Sequence, residues 1–195
     1  EKHQQIVNGA LKVFLKKGYH PTTIREIAAS ADMSLGQLYH YVSSKDDVLF
    51  LIHRYQQIAF HNHMKDITPP EDGEDAVQLL VASLRHALPF LARQKKLLGF
   101  ILGESRYLNK KHLNVVLEMD DRNIVQYWRE LLSAVKNQTG LPLDVNYTAN
   151  LITYLVTFIP MRGWNIKGYS AADQEEMLIP SILSIIGIHQ KRETG

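Results

Sequence analysis

The stretch ADMSLGQLYHYVSSK, residues 31–45, concentrates several kinds of hydrogen-bonding side chain in one short segment. It combines a glycine and a glutamine with the cluster Tyr39-His40-Tyr41, and it ends in two serines and a lysine. A segment that served only for burial would not carry so many amide, imidazole and phenol groups. We therefore expect that a molecule outside the fold contacts this segment.

Two helix-start signals flank the turn in this region. Thr23 with Glu26, and Ser34 with Gln37, each have the spacing of a capping box. They predict helices over residues 24–30 and 34–42, separated by Ser-Ala-Asp-Met, which has the length of a helix-turn-helix connection. Asp32 lies where a left-handed residue would close that turn.

The second of these helices is predicted to have one buried and one exposed face. Leu38 and Val42 lie four residues apart and, together with Met33, would face inward. The remaining positions then divide into an outward group and an edge group: Gly36, Gln37, His40 and Tyr41 outward, with Leu35 and Tyr39 at the edges.

The outward face has the chemistry of a helix that enters a DNA major groove. Gly36 lowers helix propensity by about 0.5–1 kcal/mol relative to alanine, a cost that is offset where the backbone must approach DNA closely. Gln37 can pair with adenine and Leu35 can touch a thymine methyl, while Ser34 and the tyrosine hydroxyls can reach phosphates. Lys45 adds positive charge at the start of the next helix. The alternative is an ordinary capped helical hairpin with a solvated aromatic edge.

The rest of the chain also has a helical pattern. Apolar residues at helical spacing predict further helices over 4–17, 45–66, 75–93, 95–107, 111–137, 145–166 and 171–190. A break is expected at TPPEDGED, residues 68–75, and Pro89, Pro160 and Pro180 are expected to kink or split their helices. Because no segment alternates as a strand would, we predict an all-α fold of about nine helices.

Composition limits the class of protein. Among 195 residues, 45% are hydrophobic and the net charge is +2, so any basic patch must be local; residues 1–45 contain six Lys or Arg against three Asp or Glu. The absence of cysteine excludes a disulfide scaffold and fits a reducing cytoplasm. No run approaches 18 apolar residues and the N-terminus has no apolar signal core. We expect a cytoplasmic protein without a membrane span.

The segment TTIREIAASADMSLGQLYHYVSSKDDVL resembles the DNA-binding domain of TetR-family transcriptional repressors. The likeness spans about residues 4–55 and rests on Thr-Ile-x-x-Ile-Ala, the turn, Ser-x-Gly-x-Leu-Tyr and the following Lys-Asp-x-Leu. Asp32 stands where glycine is common, and Val42 where phenylalanine is common. The resemblance implies a three-helix helix-turn-helix domain over residues 1–50 and a helical ligand-binding and dimerisation domain over residues 51–195.

The resemblance also implies roles for matching positions. Thr23 and Arg25 would contact the DNA backbone, with Arg25 able to reach a base. Base edges would be met by Leu35, Gly36, Gln37 and His40, and phosphates would be held by Ser34, Tyr39, Tyr41 and Lys45. The partner would be a double-stranded, palindromic DNA operator.

The last two predicted helices indicate a homodimer. YTANLITYLVTFIPMRGWNI and EEMLIPSILSIIGIH are apolar on more than one face, which is too much apolar surface for the edge of a monomer. A second core within the chain is the alternative. The resemblance favours an intermolecular four-helix bundle, because TetR-like proteins usually dimerise through their last two long helices.

A hydrophobic small-molecule effector is expected in the middle helices. The candidate ligand-binding residues are the aromatic and polar positions that stand out there: Phe90, Phe100, Glu104, Tyr107 and Trp128. Core packing of the rings and a surface ion pair of Glu104 with Arg106 are the alternatives. Residues 101–112 and 115–132 resemble TetR-type regulators of fatty-acid degradation, which implies a fatty acyl-CoA effector and no other cofactor.

An enzyme is the main competing class. Gly103-Glu104-Ser105-Arg106-Tyr107 lacks the closing glycine of a nucleophile elbow, so no catalytic residue is predicted. His61 and His63 would lie roughly 200° apart on a helix, which disfavours a shared metal. An architectural DNA-binding protein would not need the large second domain.

We expect a repressor that its effector releases from DNA. The alternative is an activator, or a regulator of multidrug efflux that responds to lipophilic drugs.

Overall fold

The computed structural model describes residues 1–67, 75–162, 165 and 168–188, and all regular structure in these ranges is helical. The α-helices are α1 Lys2–Lys17, α2 Ile24–Ser30, α3 Leu35–Tyr39, α4 Lys45–Met64, α5 Ala76–Arg93, α6 Lys95–Glu104, α7 Lys110–Asp120, α8 Gln126–Thr139, α9 Val145–Leu155, α10 Phe158–Arg162 and α11 Ala171–Ile185. The all-α prediction is confirmed. The expected break at residues 68–75 lies, except for Asp75, outside the described residues.

Two predicted helices are each divided. The helix predicted over 111–137 contains a π turn, Asp121–Val125, between α7 and α8. The helix predicted over 145–166 stops at Leu155 and resumes at Phe158, and Pro160 lies in the first turn of α10, where its missing N–H is tolerated. In contrast, α5 continues through Pro89 and α11 through Pro180.

The chain forms two compact units, of which the first comprises Glu1–Phe60 and Lys96–Asp121. Its core is built from apolar side chains that are at most 8% exposed, including Ile6, Ala10, Phe14, Ile27, Leu38, Val48, Leu49, Ile52, Ile101, Leu108 and Val116. Residues 96–121 thus share a core with the N-terminal helices. The functional division at residue 50 stays a prediction.

Gly9 marks a close approach of two helices in this unit. A Cβ atom at Gly9 would lie 2.7 Å from atoms of Ala31, the residue that ends α2. Only glycine therefore allows α1 to pack against α2 at this distance. This packing holds the helix-turn-helix segment against the longer α1.

The second unit comprises His61–Lys95 and Arg122–Gly195. In its described part, α5 packs against α8, α10 and α11, and α8 packs against α9. The buried residues include Leu80, Leu84, Leu88, Trp128, Leu131, Leu132, Val135, Ile152, Ile182 and Leu183. Among the described helices, none has the length and apolar character needed to cross a bilayer.

Candidate functional site

Helix α2 begins with a complete capping box. The Glu26 N–H donates to the Thr23 hydroxyl, and the Glu26 carboxylate accepts the Thr23 N–H at 2.9 Å. The Lys17 ammonium also donates to Glu26; together these hydrogen bonds lower the pKa of Glu26 to about 2. Arg25 is exposed beside the cap. The two positions expected to contact a DNA backbone, Thr23 and Arg25, therefore both lie at the surface, at the N-terminus of α2.

The turn between α2 and α3 has the geometry predicted from the sequence. Asp32 has a φ of 51°, a left-handed conformation that aspartate tolerates. The Met33 N–H then donates to the Ala28 carbonyl at 3.0 Å, and the Met33 side chain is buried. The turn is therefore closed by backbone hydrogen bonds and fixes the direction in which α3 leaves.

Helix α3 has the predicted faces but is shorter than predicted. It spans Leu35–Tyr39 instead of 34–42, and a turn follows it. Leu38 and Val42 are buried at 0% and 3% exposure. The outward group is exposed as predicted (Gly36, Gln37, His40 and Tyr41), whereas at the edges Leu35 is half-buried and Tyr39 is exposed.

Gln37 has a local structural role as well as an exposed position. Its N–H donates to the Ser34 hydroxyl at 3.2 Å, and its side-chain carbonyl accepts the Ser34 N–H at 2.8 Å. Both Ser34 and Gln37 are thus used to start α3. The amide NH₂ of Gln37 is the part of the side chain that the cap does not use.

Gly36 is not required by the fold. A Cβ atom there would meet only the Ser34 hydroxyl, at 4.0 Å, and the residue has no left-handed backbone. Alanine would fit and would be the better helix former. The absence of a side chain at this exposed position is therefore unexplained by packing within the described residues, in contrast to Gly9.

The side chain of Lys45 forms hydrogen bonds within the protein. Its ammonium donates to the backbone carbonyls of Tyr19, His20 and Thr22 at 2.7–3.0 Å and lies 4.4 Å from the centre of the Tyr19 ring. Burial lowers the pKa of this lysine. All three N–H donors have acceptors, so the phosphate contact predicted for Lys45 stays a prediction that would compete with this arrangement.

Three potential metal ligands meet near the start of α4, although none was expected from the sequence. Atoms of Asp46, Asp47 and His112 lie within 4.8 Å of one another. The Asp46 carboxylate, however, already accepts hydrogen bonds from His112 Nδ1 and from two N–H groups of Asn109. Asp47 Oδ2 accepts from the backbone N–H groups of Ser43 and Ser44. We interpret the cluster as a link between α4 and α7, because its oxygens are used by protein donors.

Three predicted effector residues, Phe100, Glu104 and Tyr107, lie in the first unit. Phe100 stacks on Phe14 at 5.2 Å, and Tyr107 stacks on Tyr19 at 5.5 Å with the ring planes 8° apart. One carboxylate oxygen of Glu104 is buried and has no hydrogen-bond partner among the described residues. The two rings thus pack on α1 and the turn after it, and their role in effector binding stays a prediction.

The other two predicted effector residues, Phe90 and Trp128, lie in the second unit. Phe90 stacks on the imidazole of His63 at 4.2 Å. Trp128 is 0% exposed, and its indole N–H has no partner among the described residues. Both rings are packed against neighbouring side chains, and their role in effector binding stays a prediction.

Sequence reasoning missed a row of buried polar side chains on α4. His53, Gln56 and Gln57 are each 5% exposed, and each has a polar atom without a partner in the described part of the chain. Their spacing of three and four residues was the available signal, since it places amides and an imidazole on one face beside the apolar stripe.

The fold and this surface define a class of protein: an all-α chain with an N-terminal helix-turn-helix. Residues 6–52 match the family described as "Bacterial regulatory proteins, tetR family". The regulator HbdR of Aromatoleum sp. (strain CIB) is 47% identical over 51 residues, which cover 26% of this chain and 22% of HbdR. YerO of Bacillus subtilis (strain 168), an uncharacterised HTH-type regulator, is 32% identical over 169 residues, covering 87% of this chain and 55% of YerO.

Solved structures extend the likeness to nearly the whole chain. A tetR-family regulatory protein from Rhodococcus RHA1 aligns with a TM-score of 0.81 at 21% identity, covering 97% of this chain and 99% of that one. AibR in complex with isovaleryl coenzyme A and operator DNA aligns with a TM-score of 0.71 at 24% identity. The alignment covers 95% of this chain and 97% of AibR. FadR from Bacillus subtilis in complex with stearoyl-CoA aligns with a TM-score of 0.72 at 21% identity. The alignment covers 93% of this chain and 97% of FadR. At these identities the structural likeness shows the fold alone.

The N-terminal domain of the chain, residues 6–52, belongs to the TetR family of bacterial regulators. The resemblance inferred from residues 22–49 is thereby confirmed, and the relatives are regulators and not enzymes. The chain spans about a fifth of the length of HbdR and about half that of YerO.

Proposed function

We propose that the protein is a cytoplasmic, ligand-responsive transcriptional regulator that binds operator DNA through α2 and α3 and represses until an effector releases it. The observation that carries this proposal is Gly36, because it is exposed and has space for a side chain that the sequence does not supply. A helix backbone without a side chain at that point can lie against the floor of a major groove.

The surroundings of Gly36 support the same role. The amide NH₂ of Gln37 and the imidazole of His40 are exposed on the same face for base contacts. Tyr39 and Tyr41 are 52% and 43% exposed and can hold phosphates. Because Leu38 and Val42 anchor the opposite face in the core, this surface is held in a fixed orientation.

The test compares two variants on two duplexes. A duplex selected by the protein from a random library serves as operator, and a scrambled duplex serves as control. Gly36→Ala should weaken binding to both duplexes while the free energy of unfolding stays equal or rises by up to about 1 kcal/mol. Gln37→Ala should cost about 1–3 kcal/mol on the selected duplex and little on the scrambled one. Fluorescence anisotropy measures the affinity of each variant for each duplex.

Gln37→Glu separates the cap from the base contact. Glutamate at this position preserves the capping box but removes the amide donor. It should therefore keep the stability of α3 and lose the preference for the selected duplex. Unchanged DNA affinity in Gly36→Ala, together with equal losses on both duplexes in Gln37→Ala, would mean that this face does not enter the groove.

The proposed operator-binding form is a homodimer built through α9–α11. Large apolar side chains are exposed along these helices, with Tyr147 at 70%, Tyr154 at 62%, Met177 at 55% and Ile185 at 56%. An apolar groove of about 380 Å³ in the same region is lined by Leu155, Phe158, Ile159, Tyr169, Gln174, Met177, Leu178 and Ser181. A second copy would remove this surface from water.

The proposed effector is a hydrophobic small molecule, with fatty acyl-CoA as the first candidate. AibR and FadR, which share this fold, were solved with isovaleryl coenzyme A and stearoyl-CoA. Binding of effector and binding of DNA would be coupled, because the effector would prefer a state of the dimer whose two DNA-binding domains no longer match successive major grooves. Palmitoyl-CoA should release the protein from the selected duplex in a gel shift. Release by another lipophile alone would exclude acyl-CoA and leave the regulator proposal intact.

A further inference from the structure

Helix α4 carries three polar side chains whose burial is unusual. His53, Gln56 and Gln57 are all 5% exposed. At about 100° per residue, their spacing places them within one arc of the helix surface. The same helix also buries Leu49, Ile52 and Phe60, so the row lies in apolar surroundings.

Each member of the row has an unpaired atom. His53 Nε2 and the side-chain carbonyls of Gln56 and Gln57 are buried and have no hydrogen-bond partner among the described residues. A buried polar atom without a partner costs free energy, so such atoms are normally paired with a protein group, an ordered water or a ligand. The row is therefore incomplete as it stands.

The orientation of Gln57 shows which kind of group is missing. Its amide NH₂ donates to the Val116 carbonyl of α7 at 3.0 Å. A carbonyl can only accept, so the amide cannot be flipped, and the atom left over is an acceptor. The unpaired atom of Gln56 is likewise its carbonyl oxygen. Gln57 therefore requires a donor, and the carbonyl oxygen of Gln56, as placed, also lacks one.

His53 adds no positive charge to the row near neutral pH. Burial lowers the pKa of His53 to about 4, so its ring is neutral at pH 7 and offers one donor and one acceptor. A carboxylate placed at the row would meet two carbonyl oxygens and a neutral imidazole. An uncharged amide N–H or hydroxyl would meet acceptors that have no other partner.

We propose that His53, Gln56 and Gln57 form the polar contact for an effector that is largely apolar and presents an uncharged hydrogen-bond donor, an amide N–H or a hydroxyl. The inference rests on the proposed effector-responsive function and names the chemistry that the effector must carry. A fatty acid would be disfavoured by its carboxylate, whereas an acyl chain joined to an amide-bearing arm would be accepted.

Three probes of equal chain length test this chemistry. N-decanoylethanolamine carries amide and hydroxyl donors, methyl decanoate carries no donor, and decanoate carries a charge. Isothermal titration calorimetry on the full chain should give an affinity for the first probe that is at least about tenfold higher than for the other two. Equal affinity for the amide and the ester would overturn the proposal.

A pair of variants locates the contact. Gln56→Leu should reduce the affinity for N-decanoylethanolamine to that for methyl decanoate and should raise the thermal midpoint of the free protein, because an unpaired buried carbonyl is removed. Gln78→Leu makes the same change at an exposed position of α5 and should leave the probe affinities unchanged. A lower thermal midpoint with unchanged probe affinities in Gln56→Leu would mean that buried water completes the row, and the proposal would fail.

DNA binding by the unaltered protein separates this inference from the proposed function. If random-library selection yields no bound duplex, the regulator proposal fails whatever the probes do. If a selected duplex is released equally by N-decanoylethanolamine and by methyl decanoate, the regulator proposal stands and only the assignment of the polar row is overturned.

Discussion

Lys45 places its ammonium where three backbone carbonyls of the turn after α1 converge. We predict that Lys45→Met lowers the free energy of unfolding by about 1–3 kcal/mol, because charge-assisted hydrogen bonds are lost. Lys16→Met, at an exposed position of α1, should have little effect. Urea unfolding measures both changes.

DNA binding shows whether the same ammonium also serves a phosphate. If the Lys45 ammonium donates only to the carbonyls, Lys45→Met should change the slope of log DNA affinity against log salt concentration by less than one unit per DNA-binding domain. A slope reduced by a full unit, with stability unchanged, would show instead that Lys45 meets a phosphate.

His53 should make the stability of the protein depend on pH. Its pKa is lowered to about 4 by burial, against about 6.5 in an unfolded chain. Between these pH values the unfolded chain binds more protons, so the free energy of unfolding falls by up to about 3 kcal/mol as pH drops from about 6.5 to about 4. Urea unfolding across this range should show the slope in the unaltered protein and a flatter one in His53→Gln.

His61→Gln is the matched control for that experiment. His61 lies on the same helix but is exposed, so its replacement should leave the pH dependence unchanged. An identical slope in His53→Gln and the unaltered protein would mean that other groups cause the acid sensitivity.

The candidate site could be predicted from the sequence only where its determinants are local. The exposure of Gly36 and Gln37 followed from helix periodicity and from the burial of Leu38. The engagement of Lys45 did not, because its acceptors lie 23–26 positions earlier in the chain. The link between Asp46 and His112, 66 positions apart, was likewise invisible to local patterns.

At the scale of elements, the packing of α1 on α2 depends on one glycine. Gly9→Ala would place a Cβ atom 2.7 Å from Ala31, so the two helices must separate. Alanine is favoured in a helix by about 1 kcal/mol, but we expect overpacking to exceed this and to give a net loss of at least about 1 kcal/mol in chemical unfolding. Gly36→Ala is the matched control, and a stabilising Gly9→Ala would contradict the close approach.

Element boundaries were predictable where capping residues mark them. Helix α2 was predicted over 24–30 and is observed there, because the box of Thr23 and Glu26 starts it and the Asp32 turn ends it. The division of 111–137 by a π turn was not predicted, since Asp121–Val125 contains no proline or glycine that would signal it. Such a turn is set by packing, which a local pattern does not record.

At the scale of the whole molecule, the exposed apolar side chains of α9–α11 should decide the oligomeric state. Tyr154→Lys combined with Met177→Lys should give a folded monomer, since both side chains are more than half exposed and their replacement leaves the core of the second unit intact. Analytical ultracentrifugation measures the mass, and circular dichroism confirms the helical content.

Leu117→Lys is the control for the dimer experiment. Leu117 on α7 is 58% exposed, so this change adds the same charge at an apolar surface position outside α9–α11. It should leave the dimer unchanged. A dimer that survives in the double variant would mean that the interface lies elsewhere.

If α3 is the recognition helix, as proposed, its short length limits the number of base pairs that one copy of the chain can contact. Its five residues extend about 7.5 Å, which passes only about two base-pair steps. A bacterial chromosome offers on the order of 10⁶ or more competing positions, so a sequence of so few base pairs occurs many times along it. In the proposed homodimer, specificity would therefore depend on two α3 helices that contact DNA at a fixed separation. The distance between the two helices would then matter as much as the residues that touch the bases.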